Sequence, residues 1–556
     1  MARRRAVCAF AIAAALGIGA VQAAGGRSSI AAADLKEWLT YIASDELEGR
    51  AVFTEGLGLA AGYIQDHLRS WGVKPAGDPG AYLQTVRVRG VKATSRSTVT
   101  VRVGGESRTF KDGEGIRFPR NAGAKRTLTL NRVEFAGYGL DAPGTDHMDF
   151  RGRNVEGAAV VFLGTDGPGG MDRQVYRRLV SSRSRHATDE LRALATIGPS
   201  PEPGDASRTG GPGSSGGGRS TVAPDFTTTQ RLDLPIAPAV SGDDAFFEFL
   251  FSKAPVRYDE LKRRATGQTA LPTFRLDGVS LTFNVDVDYT VVRTQLTQNV
   301  VAIVEGSDPQ LKSSYVAFGA HYDHVGYAEA ELGADGRRPS PPGRVTPGAA
   351  DDRIWNGADD DGSGTVALMA LARAFEQGPR PKRSLLFVWH AGEERGLYGS
   401  RYFVDYPTVP LDKIVAQLNI DMIGRNRDNQ KSESNTVYVV GSDRISSELH
   451  QVNREANQAL QPPLTLDYEL NDAADLEQIY YRSDHYSYAA KGIPIIFFFT
   501  GLHPDYHANT DDVSKIEFPK LTRIVQLVYE TGWRVANLDH PPVRDHKGPR
   551  AGKGTP

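Results

Sequence analysis

The residues with the means to do chemistry lie between positions 313 and 425 and again near the C-terminus. Apolar runs end repeatedly in histidine or a carboxylate. Residues 315–320 run into His321 and Asp323, residues 385–389 into His390, Glu393 and Glu394, and residues 414–420 into Asp421. The acidic run Asp359-Asp360-Asp361 precedes an apolar helical stretch, and His503 and His507 lie in the polar segment HPDYHANTDD. In open α/β sheets ligands bind outside the carboxyl ends of the strands, so the pattern gathers metal-type ligands at one end of one sheet. A hydrolytic two-metal site needs such ligands, one of them shared between ions about 3.5–4 Å apart. Without thiolates, zinc takes imidazole nitrogen and carboxylate oxygen. The adjacent glutamates add a second function. Neighbouring side chains diverge, so one can bind metal while the other takes a proton from water and later delivers it to a leaving amine.

Taken singly, each piece has an ordinary structural role. A Glu-Glu pair commonly opens a solvated helix. DDDGSG suits a turn and a helix cap, since Asp and Ser favour both places. His321 could be a core histidine, and His507 a loop residue of no consequence. Their succession at strand ends and in loops is what makes a site of them.

The elements that must position these groups are legible along the chain. Its 556 residues exceed one typical core, which predicts two or three domains. Basic and acidic residues nearly balance at 65 and 67, so nothing favours nucleic acid or an anionic membrane surface as a partner. Arg3, Arg4 and Arg5, an apolar stretch to Val21 and the small-x-small Val21-Gln22-Ala23 read as a secretory signal over residues 1–23, shorter than a comfortable membrane span. The reading predicts an exported protein, periplasmic or extracellular, with no membrane span once the signal is removed. The single cysteine, Cys8, lies within that signal, so the mature chain has no disulfide, thiolate ligand or cysteine nucleophile.

Helical spacing of Leu35, Leu39 and Ile42, and of Ala60, Tyr63, Ile64 and Leu68, predicts two helices. The SDELEGR segment joins them, with Glu46, Glu48 and Arg50 expected as a solvated connector. Residues 83–118 are β-like, and 198–224 is too rich in Gly, Ser and Pro to bury a core, which predicts a disordered loop. Residues 278–289 alternate as a half-buried strand, and 300–304 suits a separate interior strand. From there to about 536, strand and helix patterns alternate, the mark of an α/β fold. Residues 363–376 form the clearest helix, with Leu368, Leu371, Ala372 and Phe375 on one face. The Pro- and Gly-rich tail from Asp539 is expected to fray.

Together, AHYDH, NGADDDGSG, GEERGLYGS, NIDMIGR and DYHANTD resemble the motifs of the secreted co-catalytic di-zinc aminopeptidases, relatives of bacterial leucyl aminopeptidase and glutamate carboxypeptidase. The resemblance implies an α/β zinc-exopeptidase fold with a mixed, mostly parallel central sheet flanked by helices. The peptidase domain would comprise residues 30–118 and 285–536, interrupted by a β-rich protease-associated (PA) domain at 128–265. It also implies two zinc ions per chain and a peptide substrate. His321 would bind one ion and Asp323 orient its imidazole. Asp360 would bridge both ions, with Asp359 and Asp361 as the neighbouring registers. Glu394 and His507 would complete one ion's ligands, and His321 and Asp421 the other's. Glu393 would be the general acid/base, and Tyr506 would polarise the substrate carbonyl. His324 and His390 are expected as wall or structural residues, and Asp484 and His485 as a turn leading into the 493–499 strand. A carboxypeptidase or dipeptidase of the same fold would need a basic cluster beside the metals, for which Arg425 and Arg482 are available. A one-zinc glutaminyl cyclase and a ligand-free binding protein are disfavoured, because every ligand position is filled.

Overall fold

The computed structural model describes residues 25–142, 147–165, 167–200, 223–329, 340–472, 475 and 477–546. The expected signal at 1–23 and most of the expected loop at 198–224 lie outside the described residues. The fold is mixed α/β, built on two ten-stranded sheets.

The first sheet carries the chemistry. Four strands at its centre run parallel, in the order Ser384–His390, Tyr315–His321, Ile414–Ile420 and Ile495–Phe499. All four are buried throughout or nearly so, as a sheet covered on both faces requires. Antiparallel neighbours flank this centre: Val287–Val304 on one side and Thr436–Val440 on the other. The parallel centre places His321, His390 and Asp421 at one end of the sheet.

Helices cover the faces. Ala32–Ile42 buries Leu35, Trp38, Leu39 and Ile42, and Glu55–Trp71 buries Leu57, Ala60, Ala61, Ile64 and Leu68, both at the expected helical spacing. Gly364–Gln377 is apolar nearly all round and packs beneath the sheet. Phe518–Asn537 closes the same layer.

The second sheet draws strands from Thr98 to Val285, reaching beyond the expected 128–265 at both ends. The reason is pairing remote in sequence: Val279–Val285 lies between Thr98–Val103 and Arg126–Leu130. The alternation read at 278–289 is real, with Val279, Leu281, Phe283 and Val285 inward. The strand breaks at Asp286, and Val287–Val304 then runs unbroken into the first sheet, where a separate strand at 300–304 was expected. The second sheet has its own aromatic core around Phe135, Phe246, Phe247 and Phe251.

Two further expectations change. Glu46 and Glu48 are solvated as expected, but Arg50 is fully buried. Its guanidinium donates to the carbonyls of Ile42, Tyr322, Asn356 and Gly357, which a solvated connector could not do. Residues 539–546, expected to fray, are tied to the start of the Ser447–Gln458 helix. There Asp545 accepts from the Ser447 amide at 3.0 Å and Glu448 from the Val543 amide at 2.8 Å. No helix among the described residues is long and apolar enough to cross a membrane.

Candidate metal centre

Three consecutive aspartates open the Gly364–Gln377 helix, and backbone amides decide which of them is free. Asp361 accepts from the amides of His321, Gly364 and Met422 at 3.2, 2.9 and 3.1 Å, so both its oxygens are engaged in holding the loop. Asp359 accepts from the Gly424 amide at 2.6 Å and sits 3.2 Å from His503 Nε2. Asp360 has no such ties, and its Oδ2 is buried without a hydrogen-bond partner. Asp511 fixes the backbone between them by accepting from the Asp359 and Asp360 amides. Glycine is required at 357, where φ is +56° and a Cβ would stand 2.5 Å from the His324 ring.

The two oxygens of Asp360 face two separate ligand groups. Oδ1 lies 3.3 Å from His321 Nε2, which is 3.7 Å from Asp421 Oδ2. Oδ2 lies 3.1 Å from His507 Nε2, which is 3.0 Å from Glu394 Oε2. Nitrogen and oxygen donors converge at the spacing of atoms sharing a metal, with Asp360 common to both groups. The charge balance points the same way. Burial alone would raise Asp360, but the His321 and His507 imidazoles hold it well below the usual carboxylate range. Burial pulls His507 down, but Glu394 and Asp360 outweigh it and carry it up to about 11. So dense a buried acidic cluster calls for cations, and the donor set fits zinc.

His324 belongs to this neighbourhood more closely than a wall residue would. Its Nδ1 is 3.0 Å from Glu394 Oε1 and 3.8 Å from Asp360 Oδ2, and neither ring nitrogen has a hydrogen-bond partner. His321, Asp361 and Asp421 form one compact set of potential ligands, and His324, Asp360 and Glu394 another. Three amides engage Asp361, whereas the two oxygens of Asp360 face His321 and His507.

Asp323 acts through two atoms. Its carbonyl oxygen lies 3.0 Å from His321 Nδ1, while its carboxylate is 3.8 Å away from that ring. The carboxylate instead accepts from the amides of Gly392 and Glu393 at 2.7 and 3.2 Å, fixing the loop that carries the glutamate pair. Glu393 faces an open cleft of about 350 Å³ together with His321, Asp360, Asp421, Tyr506 and His507. Met422, Ile479, Phe497, Phe499 and Leu502 give that cleft an apolar side. Burial pushes the Glu393 carboxyl well above its ordinary value, with the charges of Glu394 and Asp421 adding to it against that of His321. Burial also raises Tyr506 well above the ordinary phenol value, so it stays a hydroxyl donor at neutral pH. Arg482 donates to the Tyr506 hydroxyl at 3.0 Å and to Glu477 at 2.7 Å, and it lines the cleft. Arg425 does not join it: it is buried against Asp505 and Asn429.

Several supporting residues carried no signal in the sequence. Arg344, from the Gly- and Pro-rich loop that precedes Ile354–Trp355, grips the His507 segment. Its amide donates to the His507 carbonyl at 2.6 Å and its guanidinium to the Tyr506 carbonyl at 2.7 Å. Asn509 bonds back to the carbonyls of Ala349 and Asp352. This clasp holds His507 in a left-handed conformation, φ +51°. Ser483 donates to Asp421 Oδ2 at 2.6 Å. Asp484 pairs with His390 at 3.4 Å, and His485 stacks on Phe497, so neither reaches the ligand groups.

Residues 299–532 match the model of peptidase family M28. Among curated proteins, the chain is 32% identical over 154 residues to leupeptin-inactivating enzyme 1 of Streptomyces exfoliatus, covering 27% of this chain and 31% of that protein. It is 26% identical over 248 residues to a probable leucine aminopeptidase of Trichophyton verrucosum, covering 43% and 57%. The chain thus spans 31% and 57% of these two relatives' lengths. Among solved structures, an aminopeptidase from Aneurinibacillus sp. strain AM-1 aligns at TM-score 0.43 and 16% identity, over 96% of this chain and 99% of that one. A zinc aminopeptidase from Bacillus subtilis aligns at TM-score 0.41 and 17% identity, over 93% and 99%.

Proposed function

We propose that the chain is an exported zinc-dependent exopeptidase, an aminopeptidase that removes N-terminal residues from peptides. The observation that carries this reading is the Asp360 carboxylate: one oxygen faces His321, which neighbours Asp421, and the other faces His507, which neighbours Glu394. His321, Asp360 and Asp421 would hold one zinc ion, and Asp360, Glu394 and His507 a second. When bound, the ions supply Lewis-acid activation of water and of the scissile carbonyl. Glu393 takes the proton of the attacking water and passes it to the departing amine, a shuttle that its raised pKa suits. The Tyr506 hydroxyl, held by Arg482, donates to the carbonyl oxygen as negative charge develops there. The acidic groups around the cleft receive the free α-amino group, and the apolar side receives the first side chain. With Arg425 engaged elsewhere, the basic pair that a carboxypeptidase would need is incomplete. Residues 1–23 serve as the export signal, and the unit built on the second sheet is a protease-associated insert.

The test is a substrate panel on the metal-loaded protein. Free-amine aminoacyl anilides should be cleaved and their N-acetylated forms should not. Cleavage confined to N-blocked peptides with a free C-terminus would refute the aminopeptidase reading.

A further inference from the structure

The helix Arg173–Arg185 of the second unit, with the turn His186–Glu190 that follows it, lies against the segment of the first unit that ends in the Asp484 turn. The contacts are specific and largely shielded. Tyr481 donates to Glu190 Oε1 and Tyr486 to Asp189 Oδ2, each at 2.5 Å. Ser182 Oγ lies 2.8 Å from Gln478 Oε1. The Arg185 guanidinium stands 5.0 Å from the Tyr481 ring centre and 5.5 Å from that of Tyr486. Glu190 also meets Arg444 at 3.4 Å and His186 at 3.3 Å.

The residues interleaved with these contacts point the other way. Ile479, Arg482 and Ser483 line the cleft. Ser483 holds Asp421 at 2.6 Å, and Arg482 holds the Tyr506 hydroxyl at 3.0 Å. One short segment therefore presents alternate side chains to the second unit and to the reacting centre. Its two tyrosines, 481 and 486, flank the pair Arg482-Ser483 and anchor it from outside.

We infer that Asp189 and Glu190 are positioning residues of the second unit that set the 478–486 wall of the cleft, and so select which N-terminal side chain is accepted. The inference rests on the aminopeptidase reading for its kinetic consequence, but not for its structural one. Such support matters because a displacement of about 1 Å at a reacting centre can cost on the order of 100-fold in rate. None of the residues proposed to bind metal comes from this segment, so metal binding should survive its loosening.

The experiment compares the wild type with Tyr481→Phe/Tyr486→Phe and with Asp189→Asn/Glu190→Gln. The phenylalanine pair removes two oxygens and no packing volume, so it serves where the carboxylate variants fail to fold. Metal content, hydrogen exchange of residues 477–488 and kcat/KM on alanyl, leucyl and phenylalanyl anilides are measured on the metal-loaded proteins. The expected result is unchanged metal content with faster exchange confined to 477–488. The leucyl-to-alanyl ratio of kcat/KM should fall about 10-fold, carried mostly by KM. Wild-type exchange at 477–488 together with an unchanged ratio would overturn the inference. A wild type inert toward every anilide would sink the aminopeptidase reading alone, and the exchange comparison would still decide whether the second unit holds the wall.

Discussion

Arg50→Met tests how the ligand loops are held in place. Arg50 reaches from the connector between the first two helices to four carbonyls: Ile42 at 2.5 Å, Asn356 at 2.7 Å, Gly357 at 2.9 Å and Tyr322 at 3.0 Å. Tyr322 stands between His321 and Asp323, and Asn356 and Gly357 lead into Asp359-Asp360-Asp361. One guanidinium thus ties both ligand-bearing loops to the helical layer. It also offsets the buried charges of Asp323, Asp361 and Asp360. Burial lowers its pKa to about 10, so it remains charged at neutral pH. Methionine keeps the stem and removes the fork. Charge-assisted hydrogen bonds contribute about 1.5–3 kcal/mol each. The carbonyls keep some alternative partners, so the net loss is nearer the roughly 3–5 kcal/mol typical of breaking a buried charged contact. If the loss falls on the ligand loops, 3 kcal/mol corresponds to roughly 150-fold in metal affinity. Competition against a chelator of known affinity measures that directly, and urea unfolding of the metal-free protein measures the remainder. Arg50→Lys should recover only part, because an ammonium cannot fork to four carbonyls. Metal affinity within about threefold of wild type, with an unchanged urea midpoint for Arg50→Met, would refute the argument.

Other consequences follow from the same geometry. Glu393→Gln should keep its metal and lose turnover by about 100-fold or more, since it removes the proton shuttle and no ligand; unchanged turnover would take Glu393 out of that role. Arg344→Ala should weaken metal binding by about 10-fold through the His507 segment it clasps, read by the same chelator competition. The His186–Glu190 pair makes the stability of the turn that carries it pH-dependent. Burial would lower His186, but the Glu190 charge, helped by Asp141, outweighs it and raises the imidazole to about 10. Burial would raise Glu190, but His186 outweighs it and holds the carboxyl near 2. The histidine's contribution is therefore complete below its ordinary 6.5 and lost as pH rises through 10. The glutamate's is complete above its ordinary 4.5 and lost as pH falls through 2. The gap in urea midpoint between wild type and His186→Gln should close between about pH 7 and about pH 10.5; a constant gap would contradict the assignment.

What could be read in the sequence was whatever depends on local pattern. The run of apolar residues ending in His321, in His390 and in Asp421 survives as the parallel centre of the first sheet. The helix at 364–377 and the alternation at 279–285 are local in the same sense. What escaped depends on partners distant along the chain. Choosing among Asp359, Asp360 and Asp361 requires knowing that amides of Met422 and Gly424 come to meet two of them. Arg50 looked solvated because its acceptors lie some 270 to 310 residues on, apart from Ile42 nearby. The reach of the second sheet depends on Val279–Val285 pairing with strands that precede it by more than 140 residues. His324 followed a recognisable motif, but only its 3.0 Å approach to Glu394 brings it to the ligand groups.

The central claim is that Asp360 is shared between two metal ions, and elemental analysis of dialysed wild type beside Asp360→Asn tests it most directly. The account predicts about two zinc ions per chain in the wild type and fewer than about one in the variant. A single ion per chain in the wild type, or full occupancy in the variant, would contradict it.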